Sequence, residues 1–190
     1  MKDRVLDTSI ELFGKKGFRE TSIQDIVDAV GVTKGTFYYY FKNKEDVLVQ
    51  IHQAFIEHLL AQQSKILEDE TTSNKQKMYA IVEMLILNIR TESDSAMVFF
   101  REMRHLSEEK TKDILPKRTE FQVQLQRLIE RGIEALEFRA DLRSDMLSLA
   151  ILGVANWSYF WYEPDGEVSE KELTKIYMAM IFEGIEEDTK

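Results

Sequence analysis

The sequence predicts an all-α fold. Two prolines and eight glycines in 190 residues leave few places for a helix to break. Apolar residues recur at steps of three and four, and no alternating run bounded by turn signals reads as a strand. Apolar residues make up 44% of the chain, with eleven Phe, seven Tyr and two Trp, enough for a real core and a lined cavity. Cysteine is absent, so neither a disulfide frame nor a thiolate metal site is available, which suits a reducing compartment. No leader precedes the first helix and no apolar run reaches the ~18–20 residues of a membrane span, so a soluble, cytoplasmic protein without a membrane partner is expected.

Residues 2–16 read as the first helix. Val5, Leu6, Ser9, Leu12 and Phe13 form its inward stripe, Asp3 and Asp7 suit the N-terminal dipole, and Lys15, Lys16 and Gly17 close it. Phe18 packs back onto the stripe. Residues 21–44 then read as two short helices joined by a tight turn. Thr21 or Ser22 caps the first, with Thr21 and Gln24 at capping-box spacing, and Ile23, Ile26, Val27 and Val30 give its apolar stripe. Gly31 tolerates positive φ at the turn and Val32 locks the turn to the core. Thr33 caps the next helix, whose inward face carries Phe37 and Phe41. Thr33, Lys34, Thr36, Tyr38, Tyr39 and Tyr40 fall on outer surfaces, and Gly35 leaves one spot bare for a close approach.

This is the pattern of a helix-turn-helix, whose second helix enters the DNA major groove. No acid occurs from Ala29 to Asn43, whereas Lys34, Lys42 and Lys44 flank the three tyrosines. Residues 1–50 carry eight basic and eight acidic side chains, so the rest of the chain supplies the whole net charge of −9. An acidic body repels DNA, which confines any docking to a small face of the N-terminal region.

A long fourth helix over 43–70, capped by Asn43, follows a three-four rhythm through Val47, Ile51, Phe55, Leu59 and Ile66. His52 and His58, six apart, are off the spacing of two ligands on one face and read as surface or boundary residues. A polar loop over 68–77 leads to a helix that is apolar almost all round from Met78 to Asn88, with Glu83 its one charge in need of a partner or a wet cavity. Residues 91–95 break the pattern. Met97 to Phe100 and then Arg101 and Arg104 form the next helix, whose arginines suit an anionic head group. Glu102 and His105 form a single E-x-x-H, half of what a di-iron bundle needs. After a polar stretch over 107–116, a helix over 117–136 carries Phe121, Leu125, Leu128, Ile129, Gly132 and Ile133. The last two helices carry clean apolar seams. One has Met146, Leu149, Ala150, Gly153, Val154, Trp157, Phe160 and Trp161; the other, capped by Ser169, has Leu173, Ile176, Tyr177, Met180, Ile181, Gly184 and Ile185. Two such seams suit a four-helix contact between two subunits or, equally, an internal core, and the two half-sites usual for a helix-turn-helix operator favour the dimer.

The run Gly31-Val32-Thr33-Lys34-Gly35-Thr36-Phe37-Tyr38-Tyr39-Tyr40-Phe41, followed by Lys42-Asn43-Lys44-Glu45, resembles the TetR family of bacterial repressors, as do Leu12-Phe13, Gly17-Phe18, Thr21 and Asp25-Ile26. The resemblance implies a homodimer with a three-helix DNA-binding head over 1–45 and a six-helix ligand-binding and dimerisation body over 46–190. It implies DNA contacts at Ser22, Gln24, Thr33, Lys34, Gly35, Thr36, Tyr38, Tyr39, Tyr40 and Lys44, although relatives often carry His where this chain has Tyr40. Relatives also often have glycine near Leu136 or Glu137, and its absence here suggests a longer seventh helix. The aromatic string from Asn156 to Gly166 is similar to that of TetR-family regulators responsive to acyl-coenzyme A thioesters.

These readings combine into a repressor of operator DNA, released by a small amphipathic inducer such as a fatty acyl-CoA, with no cofactor, metal or catalytic residue. The ligand residues expected are Glu83, Phe99, Phe100, Arg101, Arg104, Trp157, Tyr159 and Trp161, with dimerisation through the last two helices. The nearer alternative is the same fold sensing a cationic lipophile through Glu83 and an aromatic cage. The farther one is a helical-bundle enzyme using Glu102 and His105, which no nucleophile–base pair or phosphate loop supports.

Overall fold

The computed structural model describes residues 1–183, whose regular elements are helices, with no strand among them. In chain order the helices are α1 (Lys2–Lys16), α2 (Ile23–Val30), α3 (Lys34–Tyr40), α4 (Lys44–Glu68), α5 (Asn74–Arg101), α6 (Glu108–Thr111), α7 (Leu115–Glu134), α8 (Ser144–Trp157) and α9 (Glu170–Glu183). Single 3-10 turns follow α5 at Met103–His105 and α8 at Ser158–Phe160. Gly184 and Ile185, expected on the last seam, lie outside the described residues.

The chain forms two compact units. The first comprises Met1–Leu59 and Glu92–Arg118, and its core is drawn from the predicted stripes. Val5 and Phe13 of α1, Ile26, Val27 and Val30 of α2, and Phe37 with Phe41 pack with Val47, Leu48 and Ile51 of α4 and with Val98 of α5. Asn43 caps α4 by accepting from the Asp46 N–H at 2.8 Å. The Arg4 guanidinium donates to the Val30 carbonyl at 3.1 Å, satisfying one of the carbonyls that α2 leaves open at its end.

The second unit comprises Leu60–Thr91 and the chain from Thr119 onward. Its buried side chains come from Met78, Ile81, Val82, Leu85, Ile86 and Ile89 of α5, the Phe121–Ile129 stripe of α7, Ile151 and Ala155 of α8, and Leu173 and Met178 of α9. Polar groups are tied off where they enter it. Gln63 Nε2 donates to the Phe121 carbonyl at 3.1 Å, and Arg90 donates to Glu170 at 2.6 Å and to the Pro164 carbonyl at 2.6 Å. Glu137 accepts from the Asn74 and Lys75 N–H groups at 3.2 and 2.9 Å, which caps the start of α5 from the far side of the sequence. These bonds hold the Glu137 carboxyl below its usual range, the Lys75 N–H contributing most.

Three sequence expectations fail for local reasons. The break over 91–95 is a kink rather than a gap: α5 runs through it with one non-helical residue, Glu92 (φ −124°, ψ 17°), because the apolar face resumes at Ala96 and Val98, both fully buried. The seventh helix is not lengthened by the missing glycine. It stops at Glu134 and Leu136 itself adopts left-handed φ (57°), while the Gly132 carbonyl accepts from the Glu137 and Phe138 N–H groups at 2.8 and 3.1 Å. Phe138 lies so close to Gly132 that a Cβ there would sit 2.2 Å from its ring, so this stop is set by packing. His52, read as a surface or boundary residue, is fully buried in the first unit, whereas His58 is exposed. The His52 ring shares a hydrogen bond of 2.8 Å with the Leu48 carbonyl one turn back, which lets an imidazole occupy a core position. Burial pushes its pKa down to about 4, and the nearby Arg118 charge adds to that effect.

Candidate nucleic-acid interface

The first unit presents α2 and α3 as a built surface. Ser22 caps α2 reciprocally with Asp25: its hydroxyl accepts from the Asp25 N–H at 3.1 Å, and the Asp25 carboxylate accepts from the Ser22 N–H at 2.7 Å. The Ser22 hydroxyl and N–H hold the Asp25 carboxyl below its usual range. The capping box is therefore one residue later than the Thr21–Gln24 pair. Thr21 is fully buried, donating to the Gly17 carbonyl at 2.8 Å, and Gln24 donates to Asp28 at 2.7 Å on the surface.

Gly31 ends α2 in the left-handed region (φ 77°, ψ 40°), and its N–H and that of Val32 both reach the Val27 carbonyl at 2.9 Å. Nothing lies within 4 Å of where a Cβ would be, so the backbone angle rather than space selects glycine. Thr33 then caps α3 by accepting from the Thr36 N–H at 3.2 Å.

The seven residues of α3 divide sharply. Phe37 is fully buried, and its ring lies 5.6 Å from that of Phe41, 2% exposed just past the helix end. On the other side Lys34, Gly35, Tyr38 and Tyr39 are exposed, Tyr39 by 81%, while Thr36 and Tyr40 are half-buried. Tyr40 meets Tyr39 edge to face at 4.8 Å, which holds the exposed ring from one side. Lys34 forms no ion pair among the described residues. Ser22, Gln24 and Thr33 are exposed as well, so nine of the ten expected DNA residues lie at or beside this surface.

The tenth, Lys44, does something else. Its ammonium donates to the Thr21 carbonyl at 2.5 Å, to the Arg19 carbonyl at 3.3 Å and to the Phe18 carbonyl, and it lies 4.3 Å from the centre of the Phe18 ring. Burial lowers its pKa, opposed by the nearby Glu20 and Asp25 charges. Lys44 thus pins the start of α4 to the loop before α2. No sequence signal marks this, because the three acceptors are main-chain groups some 25 residues away.

The expected ligand residues divide between the units. In the first, Phe99 is buried with its ring 4.8 Å from Phe55, 5.3 Å from His52 and 5.3 Å from Phe100, and the Arg118 guanidinium lies 4.8 Å over it. Arg118 was not singled out from the sequence, and His52 was read there as a surface or boundary residue, because no local signal places its ring against Phe99. Arg101 and Arg104 are exposed. In the second unit Glu83 is half-buried, and Tyr159 is buried with its hydroxyl donating to the Leu85 carbonyl at 3.1 Å. Trp157 and Trp161 are 64% and 49% exposed, so both present surface rather than line a closed interior. Glu102 and His105 pair with each other at 3.3 Å, and no group of three or more potential ligands that could hold a metal occurs among the described residues. No helix among the described residues is long and apolar enough to cross a membrane.

Fold and site define a helix-turn-helix DNA-binding regulator. Residues 5–51 match the model of bacterial regulatory proteins of the tetR family, and residues 71–185 match that of the tetracyclin repressor-like C-terminal domain. The chain is 25% identical over 185 residues to the transcriptional repressor KstR2 of Rhodococcus jostii, covering 97% of this chain and 90% of that one. It superposes on the TetR-family regulator PfmR of Thermus thermophilus with a TM-score of 0.89 at 27% identity, covering 97% of this chain and all of that one. AibR, crystallised with isovaleryl coenzyme A and operator DNA, shares the fold with a TM-score of 0.87 at 22% identity, covering 95% and 97% of the two chains. The protein belongs to the TetR family: it is a DNA-binding transcriptional repressor, not an enzyme.

Proposed function

We propose that this repressor works as a homodimer whose two α3 helices enter successive major grooves of an operator, and that an amphipathic acyl thioester releases it. The observation that carries the DNA reading is the division of α3. Phe37 and Phe41 anchor it in the core, and Lys34, Tyr38 and Tyr39 project from the opposite side with no carboxylate among them. Thr33, Thr36 and Ser22 supply hydroxyls for phosphate and base edges, Gly35 lets the sugar-phosphate backbone approach, and Gln24 and Tyr40 frame the surface. Lys44 contributes through its clasp on the loop before α2. The boundary between the DNA-binding part and the rest is placed at about residue 45, where α4 begins.

Dimerisation is assigned to α8 and α9. Met146, Leu149, Trp157 and Trp161 of the α8 region and Ile176 and Met180 of α9 are each at least 41% exposed, a density of large apolar side chains that a second copy would cover. This use removes the two tryptophans from the ligand-binding set. Phe99 and Phe100 of the first unit remain for the apolar part of the inducer, and Arg101 and Arg104 for its anionic end.

The acyl-thioester class is favoured by the aromatic string from Asn156 to Gly166 and by the company the fold keeps in AibR. A ligand shifts the repressor only by its difference in affinity for the DNA-competent and released states, about 1–3 kcal/mol in typical cases. The test is operator release. With an operator selected from random duplexes, long-chain acyl-CoA should weaken binding about 5–150-fold while quaternary amines have no effect. Release by the amines alone would reverse the ligand assignment. Such a protein would act in the cytoplasm.

A further inference from the structure

Beside the loop that follows α1, the first unit has a depression of about 490 Å³ that the DNA surface does not use. Four cationic side chains line it: Lys16 and Arg19 from the end of α1 and the loop after it, and Arg101 and Arg104 from the end of α5 and the turn after it. Glu20 and Glu102 are its two carboxylates, which leaves a surplus of two positive charges in a chain of net charge −9. Glu102 is 3% exposed and turned onto His105 at 3.3 Å, so it is already engaged within the fold. Lys16 reaches Asp25 at 3.7 Å, but no carboxylate among the described residues pairs with the guanidinium of Arg19, Arg101 or Arg104.

Three guanidinium groups without an acid partner, gathered around a hollow rather than along a ridge, suit a compact anion that accepts several hydrogen bonds at once. We infer that this depression binds the phosphate-bearing end of a small molecule. The inference rests on the ligand-responsive reading above and supplies the polar end of that ligand. Arg19 belongs to the same loop whose Phe18, Arg19 and Thr21 carbonyls the Lys44 ammonium holds, and that loop runs directly into Ser22, the cap of α2. An occupant of the depression therefore bears on the segment that sets α2 and α3.

Titration calorimetry on the full-length protein tests this with coenzyme A, octanoyl-coenzyme A and inorganic pyrophosphate as probes. Arg101→Gln/Arg104→Gln is the variant, Arg139→Gln, an exposed arginine of the second unit, is the control, and thermal melts confirm folding. Wild type and control should bind coenzyme A alike, and the double variant at least about tenfold more weakly. Equal affinity in the double variant, or no binding of coenzyme A or pyrophosphate to wild type, overturns the site. So does a ligand-free loss of operator affinity in the variant with a shallower salt dependence, which would assign these arginines to the DNA backbone. If pyrophosphate binds through the arginines but octanoyl-coenzyme A fails to release operator, the site stands and the acyl-thioester reading falls.

Discussion

The ammonium of Lys44 lies 2.5 Å from the carbonyl oxygen of Thr21, and it also holds the carbonyls of Phe18 and Arg19. A lysine at the first residue of α4 opposes the helix dipole, yet here it is retained because three main-chain acceptors surround it. Replacing it by methionine keeps the stem and removes the donor. Lys44→Met should lower stability by about 2 kcal/mol through the unpaired carbonyls, and weaken operator binding further by loosening the loop before α2. Chemical denaturation of wild type and variant measures the first effect. An unchanged midpoint would mean that the clasp is incidental.

Leu136 is 90% exposed at φ 57°, so its side chain adds little packing while its backbone occupies a region costly for a Cβ. Leu136→Gly should raise stability by about 1 kcal/mol, a rise in Tm of roughly 2–4 °C for a chain of this size. A thermal melt that falls instead would place the value of Leu136 in contacts.

The exposed α8 and α9 surface is predicted to be covered by a second copy. Trp157→Glu puts a charge at the most exposed of its aromatic positions, 64% accessible in one protomer. Light scattering should then report a monomer where wild type is a dimer, with the helical spectrum unchanged. A dimer that survives this change, and survives Met180→Glu as well, would move the interface elsewhere.

His52 makes stability depend on pH. Its folded pKa of about 4 lies below the ordinary 6.5, so between these values the unfolded chain binds a proton that the folded chain does not. Stability is then full above about pH 6.5 and declines as pH falls toward 4, by an amount on the order of 3 kcal/mol. His52→Gln should flatten that slope in denaturation midpoints between pH 7 and 4. An unaltered slope would assign the acid sensitivity to other groups.

Much of this was legible in the sequence where the cause is local. The Thr33 cap, the left-handed Gly31 and the Phe37/Phe41 spacing depend on neighbours within four residues, and each appears where the pattern put it. Thr21 and Ser22 both read as caps of α2, and it is the capping box, expected at Thr21 and Gln24, that falls one residue later. Only the fold shows that the Thr21 hydroxyl turns inward to the Gly17 carbonyl. Lys44, Leu136 and His52 escaped for one common reason: each is decided by a main-chain carbonyl or a packed ring that no periodicity reveals. The tryptophans illustrate the limit of aromatic counting, since α8 is apolar on two faces and sequence alone does not say which one meets solvent in the protomer.

The central claim is that α3 is anchored by its phenylalanines so that its tyrosine face can read duplex DNA. Tyr39 is 81% exposed, so Tyr39→Ala should leave the melting temperature unchanged. Fluorescence anisotropy with the selected operator at low salt is the direct measurement. The account predicts at least about a tenfold loss of affinity in Tyr39→Ala, on the order of 1.4 kcal/mol. Identical binding curves for wild type and variant would contradict it.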